Sequence, residues 1–93
     1  MEFEWDSTKA AMNLRKHKVS FGEASTVLSG PLSITVPDPD HSQEEDRYIT
    51  VGWSYRQRLL VVAHTERGDR IRIISARALT RAEREAYEEG IQD

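Results

Sequence analysis

The sequence predicts a single α+β domain, because strand patterns lie in the middle of the chain and helix patterns lie towards its ends. Four segments between residues 32 and 76 have the composition of strands, and the first of them, Leu32–Val36, alternates with the period of a strand. Helix N-cap residues stand at positions 6, 20 and 80. We therefore expect a short opening strand, two helices, an antiparallel sheet of about four further strands and a C-terminal helix, all in one domain of 93 residues.

The first two elements are predicted from alternation and from a capping residue. Residues 2–5 alternate with the period of a short strand. Asp6 is a suitable N-cap for a helix from Ser7 to about His17. The basic residues 16–18 suit the C-terminal end of that helix, because positive charge is favoured there by the helix dipole.

A second helix is predicted to begin at a capping box formed by Ser20 and Glu23. In such a box the serine accepts a hydrogen bond from the third amide of the helix, while the glutamate reaches back to the amide of the serine. Gly30 and Pro31 are expected to end this helix, because neither residue favours its continuation.

Turn residues separate the four predicted strands of the sheet. The segment from Pro37 to Asp40 forces a loop, and Gly68-Asp69 indicates a tight turn between the last two strands. Thr80 and Glu83 form another capping box, which opens a final helix that reaches Gly90. The strands themselves are expected at Leu32–Val36, Tyr48–Trp53, Leu59–Glu66 and Arg70–Ala76.

Composition excludes several classes of protein. With no cysteine, the chain has neither disulfides nor thiolate zinc sites. The longest apolar run, Leu59 to Ala63, is far too short to span a membrane, and the acidic first residues do not resemble a signal peptide. A soluble, cytoplasmic protein without membrane contact is therefore expected.

The net charge of −3 conceals a strong segregation of charge along the chain. Residues 54–81 carry seven arginines against two acids, a local charge of +5, whereas residues 31–53 and 82–93 each carry −4. A polyanion responds to the local field, and arginine suits bidentate contacts with phosphate. Charge alone leaves a second interpretation open, in which these arginines neutralise the acidic segments beside them.

Motifs for nucleotide binding and nucleophilic catalysis are absent from the sequence, which has no P-loop, Rossmann glycine pattern or nucleophile elbow. His17, His41 and His64 lack the spacing of a helical zinc site. His41 lies among acidic residues that could hold a hard cation, although a solvated acidic loop is the commoner outcome. We expect neither a metal nor another cofactor.

Arginines on the predicted central strands are candidates for an anion site, because a cation in a sheet must meet an anion or an acid. One interpretation is an internal salt bridge from Arg72 or Arg77 to a carboxylate such as Glu45. The other is an open pocket for phosphate. On the neighbouring strand, His64 could face either this pocket or the core. Alternation predicts Ile71, Ile73, Ser75 and Arg77 on one face of the last strand, and Arg70, Arg72, Ile74 and Ala76 on the other.

Metal-free cleavage of RNA needs groups that this chain possesses. A base must take the proton of the attacking 2′-hydroxyl, cations must stabilise the phosphorane, and an acid must protonate the leaving 5′-oxygen. A glutamate or histidine can be the base, arginines the cations, and histidine or lysine the acid. The inventory permits this reaction without establishing it: Lys16, His17, Glu45, Arg47, His64, Arg72 and Arg77.

Three groups of residues, spread from residue 3 to about residue 88, form a pattern that is more specific than any one of them. They are Phe3-Glu4-Trp5-Asp6 with Lys9, Asn13, Lys16-His17, Val19-Ser20-Phe21 and Ala24; Asp40-His41 with Glu45, Arg47 and Val51-Gly52-Trp53-Ser54; and Arg72-Ile73-Ile74-Ser75-Ala76-Arg77 with Thr80, Glu83-Arg84 and Tyr87. In this order and spacing they resemble the BrnT family of toxins. One position departs from that family's pattern, because Lys18 stands where a glycine usually follows the Lys-His pair.

The resemblance implies a RelE-like ribonuclease fold and the toxin of a type II toxin–antitoxin pair, which cuts RNA and so inhibits translation. It also implies a partner, a BrnA-like antitoxin with a ribbon-helix-helix DNA-binding part, in a hetero-oligomer with the toxin. The complex would bind operator DNA through the antitoxin, and the toxin itself would contact RNA.

The same resemblance, joined to the chemistry above, suggests roles for individual residues. Arg72 and Arg77 would hold the scissile phosphate. Lys16 or His17 would donate the proton, while Glu45 would act as the base or orient an arginine. The complete expected set is Lys16, His17, Glu45, Arg47, Arg72 and Arg77 for catalysis, and His64, Arg67 and Ser75 for substrate binding.

A non-catalytic α+β binding module, or an inactive family member, is the main alternative. Expression of the chain alone discriminates between them: growth arrest relieved by the neighbouring reading frame indicates a toxin, and no arrest at high soluble expression indicates a binding module. A DNA-binding regulator is disfavoured, because the final helix carries four glutamates where a recognition helix would be basic.

Overall fold

The computed structural model describes residues 2–38 and 46–92, with side chains described as far as Gly90. Within these residues the chain forms three helices and a sheet of five strands, which confirms the predicted α+β class and order of elements. No helix in these ranges is both long and apolar enough to cross a membrane. The elements are β1 (Glu2–Glu4), α1 (Ser7–His17), α2 (Phe21–Leu28), β2 (Ile34–Pro37), β3 (Arg47–Trp53), β4 (Leu59–Arg67), β5 (Arg70–Ala78) and α3 (Arg81–Gln92).

The five strands are hydrogen-bonded in the order β1-β5-β4-β3-β2. The strands from β2 to β5 are antiparallel to their neighbours, as predicted. The opening strand β1 differs, because it pairs in parallel with the first three residues of β5. The sheet is therefore mixed. Gly68 has the positive φ of 63° that the β4–β5 hairpin requires, which a residue without Cβ adopts at little cost.

Helices α1 and α2 pack against one face of the sheet, which we call the helix-side face. The opposite face, which we call the open face, borders a groove beside α3. The main core cluster lies between α2 and the helix-side face, where the removal of apolar surface from water stabilises the fold. Its buried members are Val19, Phe21, Ala24, Val27, Leu60, Val62, Ile73 and Ala76.

Side-chain caps confirm the predicted starts of α1 and α3. Asp6 accepts hydrogen bonds from the amides of Thr8 and Lys9 at 2.8 and 3.0 Å. Thr80 Oγ1 accepts from the Glu83 amide at 3.2 Å, and Glu83 Oε1 accepts from the Thr80 amide at 2.9 Å. The second pair is the reciprocal capping box expected from the sequence.

The capping box predicted for α2 is correct in one half and wrong in the other. Ser20 Oγ accepts from the Glu23 amide at 3.0 Å, as expected. The Glu23 carboxylate, however, does not serve the start of its own helix: it accepts from Ser54 Oγ at 2.6 Å and from Arg58 Nε at 2.8 Å. A charged donor makes a stronger hydrogen bond with a carboxylate than a neutral amide does. Tertiary contacts have therefore displaced the local one.

Asn13 joins α1 to the edge of β5. Its Nδ2 donates to the carbonyls of Val19 and Ala76, both at 2.9 Å, and its Oδ1 accepts from the Ala76 amide at 3.1 Å. Because β1 pairs only with residues 70–72, this part of the β5 edge is available to a side chain. Asn13 thus occupies the position of a further strand and positions α1.

Lys18 ends α1 in the left-handed region of backbone conformation, with φ 60° and ψ 31°. Its amide donates to the Leu14 carbonyl at 3.0 Å. This is the position at which the resemblance leads one to expect glycine, and glycine adopts this conformation without the steric cost of a Cβ. The turn is therefore retained with lysine, at some cost in backbone strain.

A β-bulge in β5 overturns the predicted division of that strand into two faces. The residues on either side of Ile74 pair with consecutive residues of β4, so Ile74 has no partner opposite it. An extra residue of this kind reverses the alternation of side chains beyond it. Arg72, Ser75 and Arg77 therefore share the open face, and the predicted separation of Arg72 from the other two is wrong.

Candidate nucleic-acid interface

A row of polar side chains crosses the open face close to the β4–β5 hairpin. In the register of the sheet, Arg47 of β3 pairs with Thr65 of β4, and Thr65 pairs with Arg72 of β5. Arg72 in turn pairs with Glu4 of β1. Side chains paired in this way have Cβ atoms about 5 Å apart. The row places a guanidinium group on each side of one threonine and ends at a carboxylate.

Among the described residues, Arg72 forms an ion pair with Glu4. Its Nη1 lies 3.2 Å from Glu4 Oε2, and the two side chains are 32% and 29% exposed. Nearer the hairpin, Arg70 and Glu2 form a more exposed pair, also at 3.2 Å. Ion pairs with this much solvent contact contribute only about 0–1 kcal/mol. An anion that binds the arginines can therefore displace these carboxylates at low cost.

Arg77 is bound more firmly, by a carboxylate of α3. Its Nη1 and Nη2 donate to the two Glu83 oxygens at 2.7 and 3.0 Å, which is a bidentate arrangement. The Arg77 guanidinium, assisted by the Thr80 amide, lowers the pKa of Glu83 from 4.5 to about 2. The carboxylate correspondingly raises the pKa of Arg77. Both residues line a groove of about 370 Å³ between α3 and the open face, whose other lining residues are mainly apolar.

Two buried polar atoms in the row have no hydrogen-bond partner within residues 2–38 and 46–92. They are Nε of Arg47 and Oγ1 of Thr65, and Thr65 is only 3% exposed. Most buried polar atoms in proteins are hydrogen-bonded, so such exceptions require an explanation. Both atoms can donate a hydrogen bond, and donors beside positive charge suit an anionic acceptor.

His64 lies on the helix-side face, away from this row. It is 3% exposed, and its Nε2 lies 2.7 Å from Thr50 Oγ1, which lies 2.7 Å from Thr35 Oγ1. Tyr48 stacks on the imidazole with ring centroids 6.0 Å apart. Burial lowers the pKa of His64 from its ordinary 6.5, so the ring is neutral near pH 7. The question left open by the sequence is answered, because His64 faces the core side.

Lys16 and His17 line a separate hollow that extends along α1 from Lys9 to His17. The hollow has a volume of about 450 Å³, and Ile74 of β5 also lines it. Arg72 and Arg77 are not among the described residues that line it. The structure therefore does not bring Lys16 and His17 into one cavity with these two arginines.

Of the nine site residues expected from the sequence, five share the open face. Ser75 is exposed there between the two rows that contain Arg72 and Arg77, and Arg67 is exposed near the hairpin. Glu45 lies in the segment 39–45, outside the described residues, as does His41. The five that share the face are Arg47, Arg67, Arg72, Ser75 and Arg77.

Sequence reasoning assigned no site role to Glu4 and Thr65 of this face, or to Glu83 of α3, which was expected only as part of a helix cap. Glu4 and Glu83 both belong to the pattern that resembles the BrnT family, and this membership could have indicated them. Alternation along β4 separates Thr65 from His64, which was the signal for Thr65. Their partners become visible only when strands and helix are assembled.

No group of three or more metal-binding side chains occurs in the part of the chain that the structure describes. The acidic residues around His41, which could hold a hard cation, lie mostly in the segment 39–45.

The fold and this face define a small α+β protein with an arginine-lined sheet surface suited to anionic ligands. A family model described as "Ribonuclease toxin, BrnT, of type II toxin-antitoxin system" matches residues 5–83. The chain therefore belongs to the BrnT family of ribonuclease toxins, and membership of a type II system implies an antitoxin partner.

A solved structure gives independent support for the fold. The crystal structure of the Brucella abortus ribonuclease toxin BrnT matches with a TM-score of 0.69 and 23% sequence identity, covering 87% of this chain and 99% of that chain. At this level of identity the match demonstrates a shared fold. Among curated protein sequences, none matches this chain.

Proposed function

We propose that this protein is a metal-independent endoribonuclease that cleaves RNA through attack of the 2′-hydroxyl and thereby inhibits translation. The observation that carries the proposal is the row of Arg47 and Arg72 around Thr65 on the open face, in a chain that belongs to a ribonuclease toxin family. Guanidinium groups fixed on β3 and β5, on either side of β4, are suited to the charge that develops on a phosphorane.

The ion pairs of these arginines are compatible with substrate binding. Arg72 uses one nitrogen at 3.2 Å for a partly exposed carboxylate. Phosphate accepts two hydrogen bonds from a guanidinium in the same planar geometry as a carboxylate. When Arg72 releases Glu4 and binds phosphate, it therefore replaces one charge-assisted hydrogen bond with one or two of the same kind. In this proposal Arg77 joins the site when its contact with Glu83 is exchanged in the same way.

Proton transfer completes the proposed mechanism. Glu45 takes the proton of the 2′-hydroxyl or orients an arginine, and Lys16 or His17 protonates the leaving oxygen. Lys16 and His17 are proposed as proton donors because the hollow that they line beside α1 is basic and also contains Lys9 and Arg15. Each such proton transfer is typically worth ~10²–10⁴-fold in rate. Ser75 and Arg67, exposed on the same face as Arg72, would contact the flanking nucleotides.

The proposed partner is a BrnA-like antitoxin with a ribbon-helix-helix part, in a hetero-oligomer with this chain. Operator DNA would be contacted through the antitoxin, and the toxin would act on RNA in the cytoplasm. Support comes from the type II toxin–antitoxin description of the family. The experiment measures bacterial growth on expression of this chain alone and together with the antitoxin. We expect growth arrest with the chain alone and relief of the arrest by the antitoxin.

Cleavage of RNA by the purified protein in the presence of a chelator tests the nuclease. We expect wild-type cleavage to persist in excess EDTA and to fall at least about 100-fold in Arg72→Ala, because a charge-assisted phosphate contact is lost at the reacting group. Arg81→Ala is the matched control, since this arginine is 94% exposed and lies on α3 in an i,i+4 pair. Wild-type rates in both Arg72→Ala and Arg77→Ala, with intact folds, would contradict the assignment.

A non-catalytic binding module is the second candidate, and the groove beside α3 favours it. Ile34 and Val36 line this groove and are 45% and 47% exposed, although they lie on a strand at the edge of the sheet. Exposed apolar side chains that line one groove are typical of protein-binding surfaces. Tight antitoxin binding by a chain that neither cleaves RNA nor arrests growth would support this candidate.

A further inference from the structure

We propose that the Thr65 hydroxyl is a phosphate ligand of this site, and that it binds a non-bridging oxygen of the RNA backbone together with Nε of Arg47. The inference deepens the proposed function and rests on it. It adds a residue for which neither charge nor motif gives an indication, and it names the chemical class of ligand, an oxyanion with several acceptor oxygens.

The first support is the burial of Thr65 without a partner. Thr65 is only 3% exposed. Its Oγ1 makes no hydrogen bond within the described residues. A buried hydroxyl without a partner destabilises a fold, and valine would fill the same space without this cost. The position therefore carries a hydroxyl that packing does not require.

The second support is a comparison within the same sheet. Thr50 of β3 is 1% exposed, and its Oγ1 lies 2.7 Å from both Thr35 Oγ1 and His64 Nε2. It lies on the helix-side face, where its hydroxyl has protein partners. Thr65 lies on the opposite face, and its hydroxyl has none. The contrast between two equally buried threonines indicates that the Thr65 hydroxyl serves something other than the fold.

The third support is the charge around the hydroxyl. Thr65 is paired in register with Arg47 on one side and with Arg72 on the other. Nε of Arg47 is a donor without an acceptor, and Thr65 can donate its hydroxyl proton. Donors on three neighbouring strands, two of them cationic, are matched by an anion that accepts several hydrogen bonds. Phosphate has this property, and a single neutral acceptor does not.

His64 Nδ1 is the third buried atom without a partner in the described residues, and it does not belong to this site. The imidazole lies on the other face and is neutral, and its Nε2 is bonded to Thr50. Because His64 lies on the face opposite Arg47 and Thr65, its Nδ1 cannot share an anion with them. The other two such atoms, Nε of Arg47 and Oγ1 of Thr65, belong to residues that face each other in one cross-strand pair.

The test compares Thr65→Val with Thr65→Ser and with the matched control Thr50→Val. For each protein the melting temperature, its rise in inorganic phosphate, and kcat/KM for RNA are measured. Thr65→Val is expected to melt at the wild-type temperature or above, to lose at least half of the phosphate-induced rise, and to cleave about 10–100-fold more slowly, the usual effect of one hydrogen bond to a charged group. Thr65→Ser keeps the hydroxyl and should restore both binding and cleavage.

Thr50→Val should behave in the opposite way. Its melting temperature is expected to fall by about 5–10 °C, because the buried His64 and the exposed Thr35 each lose a hydrogen bond. Its phosphate-induced rise should remain, measured as a difference from its own melting temperature. A merely structural role for Thr65 would give the Thr50 result, with lower stability and undiminished phosphate binding.

Several results would overturn the inference. They are a wild-type melting temperature that phosphate does not raise, an equal rise in Thr65→Val, or undiminished cleavage by Thr65→Val. The proposed function fails separately, when wild-type protein does not cleave RNA. If the phosphate effect still depends on Thr65 in that case, the anion site remains and the nuclease does not.

Discussion

Replacement of Glu23 by glutamine is expected to destabilise this fold strongly. The Glu23 side chain is 2% exposed, and it accepts hydrogen bonds from Ser54 Oγ and from two nitrogens of Arg58. Arg58 also donates to the Lys18 carbonyl at 2.9 Å. These contacts join the start of α2, the connection between β3 and β4, and the end of α1. The network is therefore a junction of three segments.

The expected loss follows from the chemistry of the substitution. Glutamine keeps the shape and one acceptor oxygen, but it removes the charge and turns an amide donor towards a guanidinium. Breaking a buried ion pair at one partner typically costs ~3–5 kcal/mol. Arg58 is 35% exposed and can turn towards water, so we expect a loss of about 2–3 kcal/mol in the free energy of unfolding. In a domain of this size, that lowers the melting temperature by about 10–20 °C.

Urea unfolding at pH 7, followed by circular dichroism, measures this loss. The midpoint should fall while the dependence on urea concentration stays constant, because the surface exposed on unfolding is unchanged. Glu85→Gln is the control, since Glu85 and its partner Arg81 are 64% and 94% exposed, and it should change the stability by less than about 0.5 kcal/mol. A change in Glu23→Gln no larger than in this control would refute the reasoning.

Three further predictions concern backbone strain and titration. Lys18→Gly should stabilise the fold by ~0.5–1 kcal/mol in urea unfolding, because Lys18 has a φ of 60°, whereas Lys18→Ala keeps the Cβ and should give no gain. The His64 ring should titrate in NMR with a midpoint below 6.5, and a midpoint at or above 6.5 would contradict this. The stability that depends on the neutral ring is then complete above pH 6.5. It is lost as the pH falls, because the unfolded chain binds a proton that the native state excludes. The Glu83 carboxyl should titrate near pH 2. Its pair with Arg77 should contribute about 1 kcal/mol of stability after allowance for solvent screening, present above pH 4.5 and lost towards pH 2. An ordinary midpoint near 4.5 would show that the pair does not form in solution.

Local signals in the sequence predicted most of the secondary structure. Helix α1 has the predicted bounds, and the reciprocal capping box of Thr80 and Glu83 is present at α3. The four strands of the antiparallel part begin and end within two residues of their predicted bounds. These features depend on residues at most a few positions apart, so they can be predicted without knowledge of the tertiary structure.

The site was predictable in its composition and less so in its arrangement. The arginines of β5 were expected to matter, but the bulge at Ile74 determined that Arg72 and Arg77 share a face. A bulge depends on how a strand pairs with its neighbour, and period-2 alternation contains no signal for it. Lys16 and His17 were expected to act on the same phosphate as these arginines, and among the described residues they line a hollow that Arg72 and Arg77 do not line.

The sequence by itself determined the helices, the strands and the concentration of arginine on two adjacent strands, because these follow from short-range periodicity, capping and local charge. Tertiary structure alone decided that Glu23 binds Arg58 instead of its own helix, that β1 joins the sheet in parallel, and that Thr65 lies between two arginines. Each of these contacts joins residues that are distant in the chain. Their formation depends on the register and packing of the whole sheet, which no short segment specifies.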